Sequence, residues 1–274
     1  MHDDDRRELE ELDQRLRVLL PETYQESYET LEPKAMSSAG LKYGPDGKVA
    51  WDQIWGSFCD LAMAGGPPHK GKLLEPGSRE AIEAAPSRYE EVVDEICRGI
   101  TLASELPAQP SAQAGWVSVD CYSDTMASWL LRAIVMENVA ARSDGRALLL
   151  PAAPHFELDK EIKNVITVIA KTTHYWMGHM SRAQKSAIAD LFAKMSLSSP
   201  LIEPGHQGWR GVESSTVKAA VWMMRAMVVN NVLSRREGTT LFVPVNPVSD
   251  PGGVIVARTV MVVHRLAAMR GLVT

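Results

Sequence analysis

The stretch GWVSVDCYSDTMASWLLRAIVMENVAARSDGRALLLPAAP runs from Gly115 to Pro154, and a second stretch, GWRGVESSTVKAAVWMMRAMVVNNVLSRREGTTLFVPVNP, runs from Gly208 to Pro247. The two align without a gap over 40 residues at an offset of 93. Trp116 falls on Trp209, Trp129 on Trp222, Arg132 on Arg225, Asn138 on Asn231, Gly145 on Gly238, and Pro151 on Pro244. Tryptophan, glycine and proline recurring in one register mark an internal repeat, and a repeat decides how the rest of the chain is divided.

Each copy suggests a long buried helix, Ser123 to Arg142 and Thr216 to Arg236, because apolar residues cover most of its circumference. Asp144-Gly145 and Glu237-Gly238 are natural helix stops, since glycine takes the left-handed conformation without a steric cost. A short strand follows, RALLL or TTLFV, closed by proline, which cannot donate to a ladder. A second helix comes next, DKEIKNVITVIAKTTHYW or GVIVARTVMVVHRLAAM. WDQIWGSFCDLAMA, HKGKLLEP and the capping-box helix beginning SRYEEVV suggest a third, diverged copy, with Gly71 under Gly145, Pro76 under Pro151 and Ser87 as N-cap.

The expected fold is mainly α with a few short strands, an α/β class in which three helix–strand–helix repeats surround a small central sheet, paired parallel. The expected division is residues 1–47 as an N-terminal helix and irregular arm, 48–106 as the diverged first repeat, 115–196 as the second repeat with an extra helix, and 208–274 as the third. The repeats pack as one body. The linkers PAQPSAQAG and SLSSPLIEPGHQG, rich in Pro, Gly and Ser, separate them.

Composition narrows the function classes. With 29 basic against 34 acidic side chains and a net charge of -5, the chain lacks the footprint of a nucleic-acid binder. The N-terminus MHDDDRRELEELDQRL is charged where a signal sequence is apolar, and no window reads as a membrane span, so a cytoplasmic protein is expected. Cys59, Cys97 and Cys121 are too widely spaced for a disulfide framework or a zinc site, and the seven histidines are scattered, so no metal is expected. No GxSxG, HExxH, GxGxxG or phosphate loop is present, and no cofactor is indicated.

Two groups of polar residues stand out. Arg132, Asn138 and Arg142 share an arc of an otherwise apolar helix, as do Arg225, Asn231 and Arg235. They suit either anion binding or satisfaction of the fold's own backbone. The middle copy alone places Glu137 beside Asn138, where its counterpart carries Asn230. Its second helix presents Asn164, Thr167, Lys171 and His174 as one polar stripe, either lining a cleft or facing solvent. The loop GGPPHKGK adds His69, Lys70 and Lys72. The expected ligand-binding set is therefore His69, Lys70, Lys72, Arg132, Glu137, Asn138, Lys171 and His174, taking a small anionic metabolite, as a binding protein or as an enzyme, in a Lys/His-lined pocket between repeats. The alternative is a non-enzymatic interaction module, and the Trp- and Met-rich helices suit a homo-oligomer interface.

Overall fold

The computed structural model describes residues 3–26, 40–53, 60–205 and 208–273. It divides into two compact units that interleave along the chain. A terminal unit comprises Met1–Glu32, Ala62–Pro68 and His179–Thr274, and a middle unit comprises Pro33–Leu61 and His69–Gly178. The loop that carries HKGK thus passes from one unit to the other between Pro68 and His69.

The described elements, in chain order, begin with α1 (Asp3–Leu19) and α2 (Glu22–Gln25) in the terminal unit. The middle unit follows with α3 (Arg79–Ala84), α4 (Pro86–Ser104), β1 (Ala108–Pro110), β2 (Trp116–Asp120), α5 (Asp124–Met136), β3 (Arg142–Asp144), β4 (Ala147–Pro151) and α6 (Lys163–Gly178). The terminal unit closes with α7 (Arg182–Ser198), β5 (Trp209–Glu213), α8 (Val217–Val228), β6 (Arg235–Glu237), β7 (Thr240–Pro244) and α9 (Val254–Met269).

The fold is mixed α/β, but the expected single parallel sheet is replaced by two small antiparallel ones, ordered β1-β2-β4-β3 and β5-β7-β6. The expected long helices are also shorter. α5 stops at Met136 and α8 at Val228, because Asn138 and Asn231 adopt left-handed φ of 61° and 62°. Asparagine is the side chain that best tolerates that region after glycine. Each stop is a Schellman turn: Asn138 N–H donates to Val135 and Val139 N–H to Ile134, while Asn231 and Val232 do the same to Val228 and Met227.

The early stop frees residues for a strand. β3 and β4 then form a two-residue hairpin through Gly145, φ 56°, and β6 and β7 form one through Gly238, φ 57°. A tight hairpin is antiparallel by construction. The sequence pattern also hides β2 and β5, which precede the helices and pair with β4 and β7: Trp116 lies opposite Pro151, and Trp209 opposite Pro244.

The HKGKLLEP segment does not make the expected strand. Only Leu74 bridges, in parallel, to Val139, and Ile202 bridges in the same way to Val232. LLEPG, Leu73–Gly77, therefore takes the place in the middle unit that LIEPG, Leu201–Gly205, takes in the terminal unit. In both, the glycine N–H donates to the residue after the strand-closing proline, Ala152 or Val245. A Cβ on Gly77 would lie 3.0 Å from the Ala153 side chain, so that glycine is needed for close approach. Gly71 has no such role, since a Cβ there would meet nothing within 4 Å.

Other boundaries move too. α4 starts at Pro86 after Ala85 rather than with Ser87 as its N-cap, because proline's missing N–H costs nothing in the first turn. PAQPSAQAG is not a free linker, as it contains β1. The extra helix α7 is capped by the Ser181 hydroxyl and belongs to the terminal unit. The expected helix over Trp51–Ala64 has 3-10 turns at Trp51–Gln53 and Ala62–Ala64, and its residues 54–59 lie outside the described set.

The cores follow from these faces. In the middle unit α4 and α5 pack on α6, burying Ile96, Ile100, Trp129, Ile166 and Ile169. In the terminal unit α1 lies on α7 and α8, and α8 on α9, burying Leu12, Leu16, Trp222 and Leu266. One stretch, Pro251–Met269, is long and apolar enough by length and composition to cross a membrane, contrary to the sequence expectation. Gly252 and Gly253 break its first turn with φ of 74° and 70°. The regular helix left, at 16 residues, is about 24 Å long against a hydrocarbon core of about 30 Å.

Candidate functional site

In the middle unit, the Schellman turn after α5 carries Glu137 into the interior, where its side chain is 0% exposed. Its Oε1 lies 2.7 Å from Lys171 Nζ on α6, and Lys171 is 1% exposed. Its Oε2 accepts from the His69 N–H at 2.9 Å. The Glu137 carbonyl accepts from the Lys70 N–H at 3.2 Å, and the Asn138 amide donates to the Lys70 carbonyl at 2.8 Å. Lys70 Nζ reaches Glu161 Oε1 at 3.5 Å.

The expected site residues His69, Lys70, Glu137, Asn138 and Lys171 are therefore brought together. The arrangement is a charge-compensated network that pins the HKGK segment to the end of α5. A buried ammonium beside a carboxylate at this distance has its charge answered within the protein.

His69 is the unusual member. Its pKa is lowered to about 3, first by burial and then by the Lys171 charge; a hydrogen bond to Asn164 opposes the shift, and Lys70 and Lys163 add to it. The imidazole is neutral at pH 7. Although the residue as a whole is half-buried, its Nδ1 is shielded from solvent and has no hydrogen-bond partner among the described residues.

The remaining expected residues lie elsewhere. Lys72 is exposed. His174 is exposed near the end of α6, edge-on to Tyr175 with ring centroids 6.0 Å apart. Arg132 is buried and donates to Ser128, one turn back, at 2.9 Å to the carbonyl and 2.5 Å to the hydroxyl. Arg142 sits on β3 rather than on the helix, 4.9 Å over the Trp116 ring, as Arg235 sits 5.2 Å over Trp209. The polar stripe of α6 divides: Lys171 is inside, Asn164 and Thr167 are half-buried, and His174 faces out.

The terminal unit has a cleft that sequence reading missed. It measures about 880 Å³ and is walled by α1, α7, α9 and the turn after α8. Arg15 enters from α1, and its Nη1 donates to the Val229 carbonyl and to Asn230 Oδ1, both at 3.2 Å. Burial lowers the Arg15 pKa from its usual value, against the nearby Glu11 and Glu8 charges. Lys194 and Arg258 also line the cleft, and among the described residues neither has a carboxylate within ion-pair distance. Of the two lining carboxylates, Glu11 pairs with Arg7 at 3.0 Å, and Asp190 makes no ion pair among the described residues.

A signal for this cleft existed. Ala257-Arg258-Thr259 on α9 matches Ala170-Lys171-Thr172 on α6, and each threonine hydroxyl donates 2.8 Å to the carbonyl four residues back, Ile255 or Val168. Arg258 lines the cleft together with Asn230, the residue 93 positions after the Glu137 that pairs with Lys171.

Cys97 and Cys121 are buried free thiols, pushed up to about 11 and about 12 by burial and then by Asp94 and Asp120 respectively. Cys59 lies outside the described residues. Among the described residues no cluster of three His, Cys, Asp or Glu side chains could hold a metal ion. No protein-family model, curated protein or solved structure matches this chain.

Proposed function

We propose that the protein binds a small anionic ligand bearing phosphate or carboxylate groups, and that the cleft of the terminal unit is where it binds. The observation that carries the reading is the pair of cations, Lys194 and Arg258, that no carboxylate among the described residues answers and that flank a cleft of about 880 Å³ beside the partly buried Arg15. A guanidinium fork suits phosphate and carboxylate oxygens, and a site of this size takes a ligand of metabolite dimensions. The Asn230 and Asn231 side chains and the hydroxyls of Ser198 and Ser199 supply neutral polar groups at the same wall.

The HKGK cluster contributes differently on this reading. Glu137 already answers Lys171, so the middle unit's network holds the loop in place and the anion goes to the unit whose acid is replaced by Asn230. The two units are read as diverged copies of one strand–helix–hairpin–helix element. The shared strand order, the identical β2/β4 and β5/β7 registers and the two LxEPG bridges support that view. An interaction module is the second reading, favoured by the open edge of β5.

Calorimetric titration with inorganic pyrophosphate and with citrate tests the cleft. Either anion at 100 times its dissociation constant adds about 2.7 kcal/mol of stability. Arg258→Glu and Lys194→Glu, both at exposed positions, are expected to weaken binding at least about tenfold while leaving the apo melting temperature unchanged. Equal binding by wild type and both variants would remove the cleft from consideration, and no binding of either anion at millimolar concentration would remove the reading.

A further inference from the structure

The two units differ in one large piece. Between LLEPG and Gly115 the middle unit carries α3, α4 and β1, whereas between LIEPG and Gly208 the terminal unit has only His206 and Gln207. In the middle unit this insert covers a sheet edge and a helix face. β1 pairs antiparallel with β2, Gln109 opposite Ser118, and α4 lies along α6 with Gly99 against Ile166.

The corresponding surfaces of the terminal unit stay open among the described residues. β5 ends its sheet, and all five of its residues are exposed or half-buried, where β2 buries three of five. α9 buries four of its 16 residues against nine of 16 for α6, although α9 is at least as apolar. Met261 is 73% exposed and Val254 65%. A groove of about 510 Å³ runs between them, lined by Arg210 and Val212 of β5, Val243 of β7, and Val256, Val260 and Met261 of α9.

The middle unit shows what fits such a surface: an antiparallel strand on the edge with an apolar helix on the face. We infer that a second copy of this chain supplies both, pairing β5 with β5 and laying α9 against α9 about a two-fold axis. An antiparallel ladder is self-matching, as an isologous contact requires. The hydrogen-bonding groups that face outward also fit. Trp116 O and Asp120 N bond toward the β1 side, so their counterparts Trp209 and Glu213, with Gly211 between them, point to the open edge. Gly211 would stand opposite its own symmetry copy, so no pair of identical side chains has to fit at the axis.

The surface is large enough. A helix about 24 Å long beside a strand pair makes a strip about 20 Å wide, on the order of 1,000 Å² summed over both copies, the threshold for a specific interface. This dimer is independent of anion binding, since the groove and the Arg15 cleft use opposite sides of α9, Val260 and Met261 on one and Ile255 and Arg258 on the other.

Sedimentation of the full chain over a micromolar-to-submillimolar series, with hydrogen exchange by mass spectrometry, tests the dimer. The expected mass rises with concentration from 30.1 kDa toward twice that value, with concentration-dependent protection of the Gly211 and Glu213 amides. Met261→Glu and Ala257→Arg, at exposed positions, are each expected to weaken association at least about tenfold while keeping the melting temperature of the monomer. A monomer throughout the series overturns the inference and leaves the groove to a different occupant. A dimer indifferent to both substitutions, with an unprotected β5 edge, overturns it equally.

Discussion

Glu137→Gln tests the centre of the middle unit. The amide keeps an acceptor for the His69 N–H but leaves the Lys171 ammonium buried at 1% exposure with its carboxylate gone. Breaking a buried pair from one side costs about 3–5 kcal/mol, because a charge remains without compensation. Lys171→Met strands the carboxylate in the same way. For a domain near 150 residues each kcal/mol is worth about 2–4 °C, so either single substitution should lower the melting temperature by about 6–20 °C. The double variant Glu137→Gln/Lys171→Met removes both charges and should recover at least about half of either single loss, far short of the additive sum. The assay is calorimetric melting of the four proteins, with hydrogen exchange of α5 and α6 assigning the transition to the middle unit. Strict additivity of the two substitutions, or single losses under about 2 °C, would refute the claim that these charges answer each other in a buried site.

Two further outcomes are expected. His69, neutral when folded down to about pH 3, protonates in the unfolded chain near its ordinary value of about 6.5, so the unfolded state binds the extra proton between those limits. Its contribution is neutral above pH 6.5, and stability falls with pH below that by up to about 1.4 kcal/mol per unit; urea unfolding of wild type against His69→Gln at pH 7, 5.5 and 4.5 should show a shallower decline for the variant. At the helix stop, Asn138→Ala loses both the left-handed preference and the bond to the Lys70 carbonyl, about 2–4 kcal/mol, whereas Asn138→Gly loses only the bond, and an alanine as stable as the glycine in urea would contradict the assigned φ of 61°.

Part of the architecture could be read from the chain because short motifs recur along it. Gly145 with Gly238 and Pro151 with Pro244 mark the turn and strand end in both units, and the helices α1, α6, α7 and α9 follow from apolar periodicity. What misled was the continuity of apolar residues past Met136 and Val228. Periodicity cannot register a single asparagine turning left, so Arg142 and Arg235 stay on the helix in a pattern reading while the backbone has already become strand. The strands WVSVD and WRGVE were missed because each is only five residues long and the second holds a glycine. LLEPG was set against the wrong partner because Gly71 suggested a turn, although LIEPG offered three identical residues in a row. At the candidate sites, Lys171 and Glu137 were found as types but not as a pair. Arg15 and Arg258 were not found at all, since their meeting depends on helices more than 200 residues apart.

The docking of α1 on α7 and α8 sets an order of events during synthesis. Leu12, Leu16, Leu19 and Leu20 are made before the surfaces that bury them, which follow about 160 residues later, roughly 10–30 s at ordinary translation speed. The middle unit is complete by Gly178 and can condense in the meantime, while the leucine face of α1 waits in water for α7 and α8.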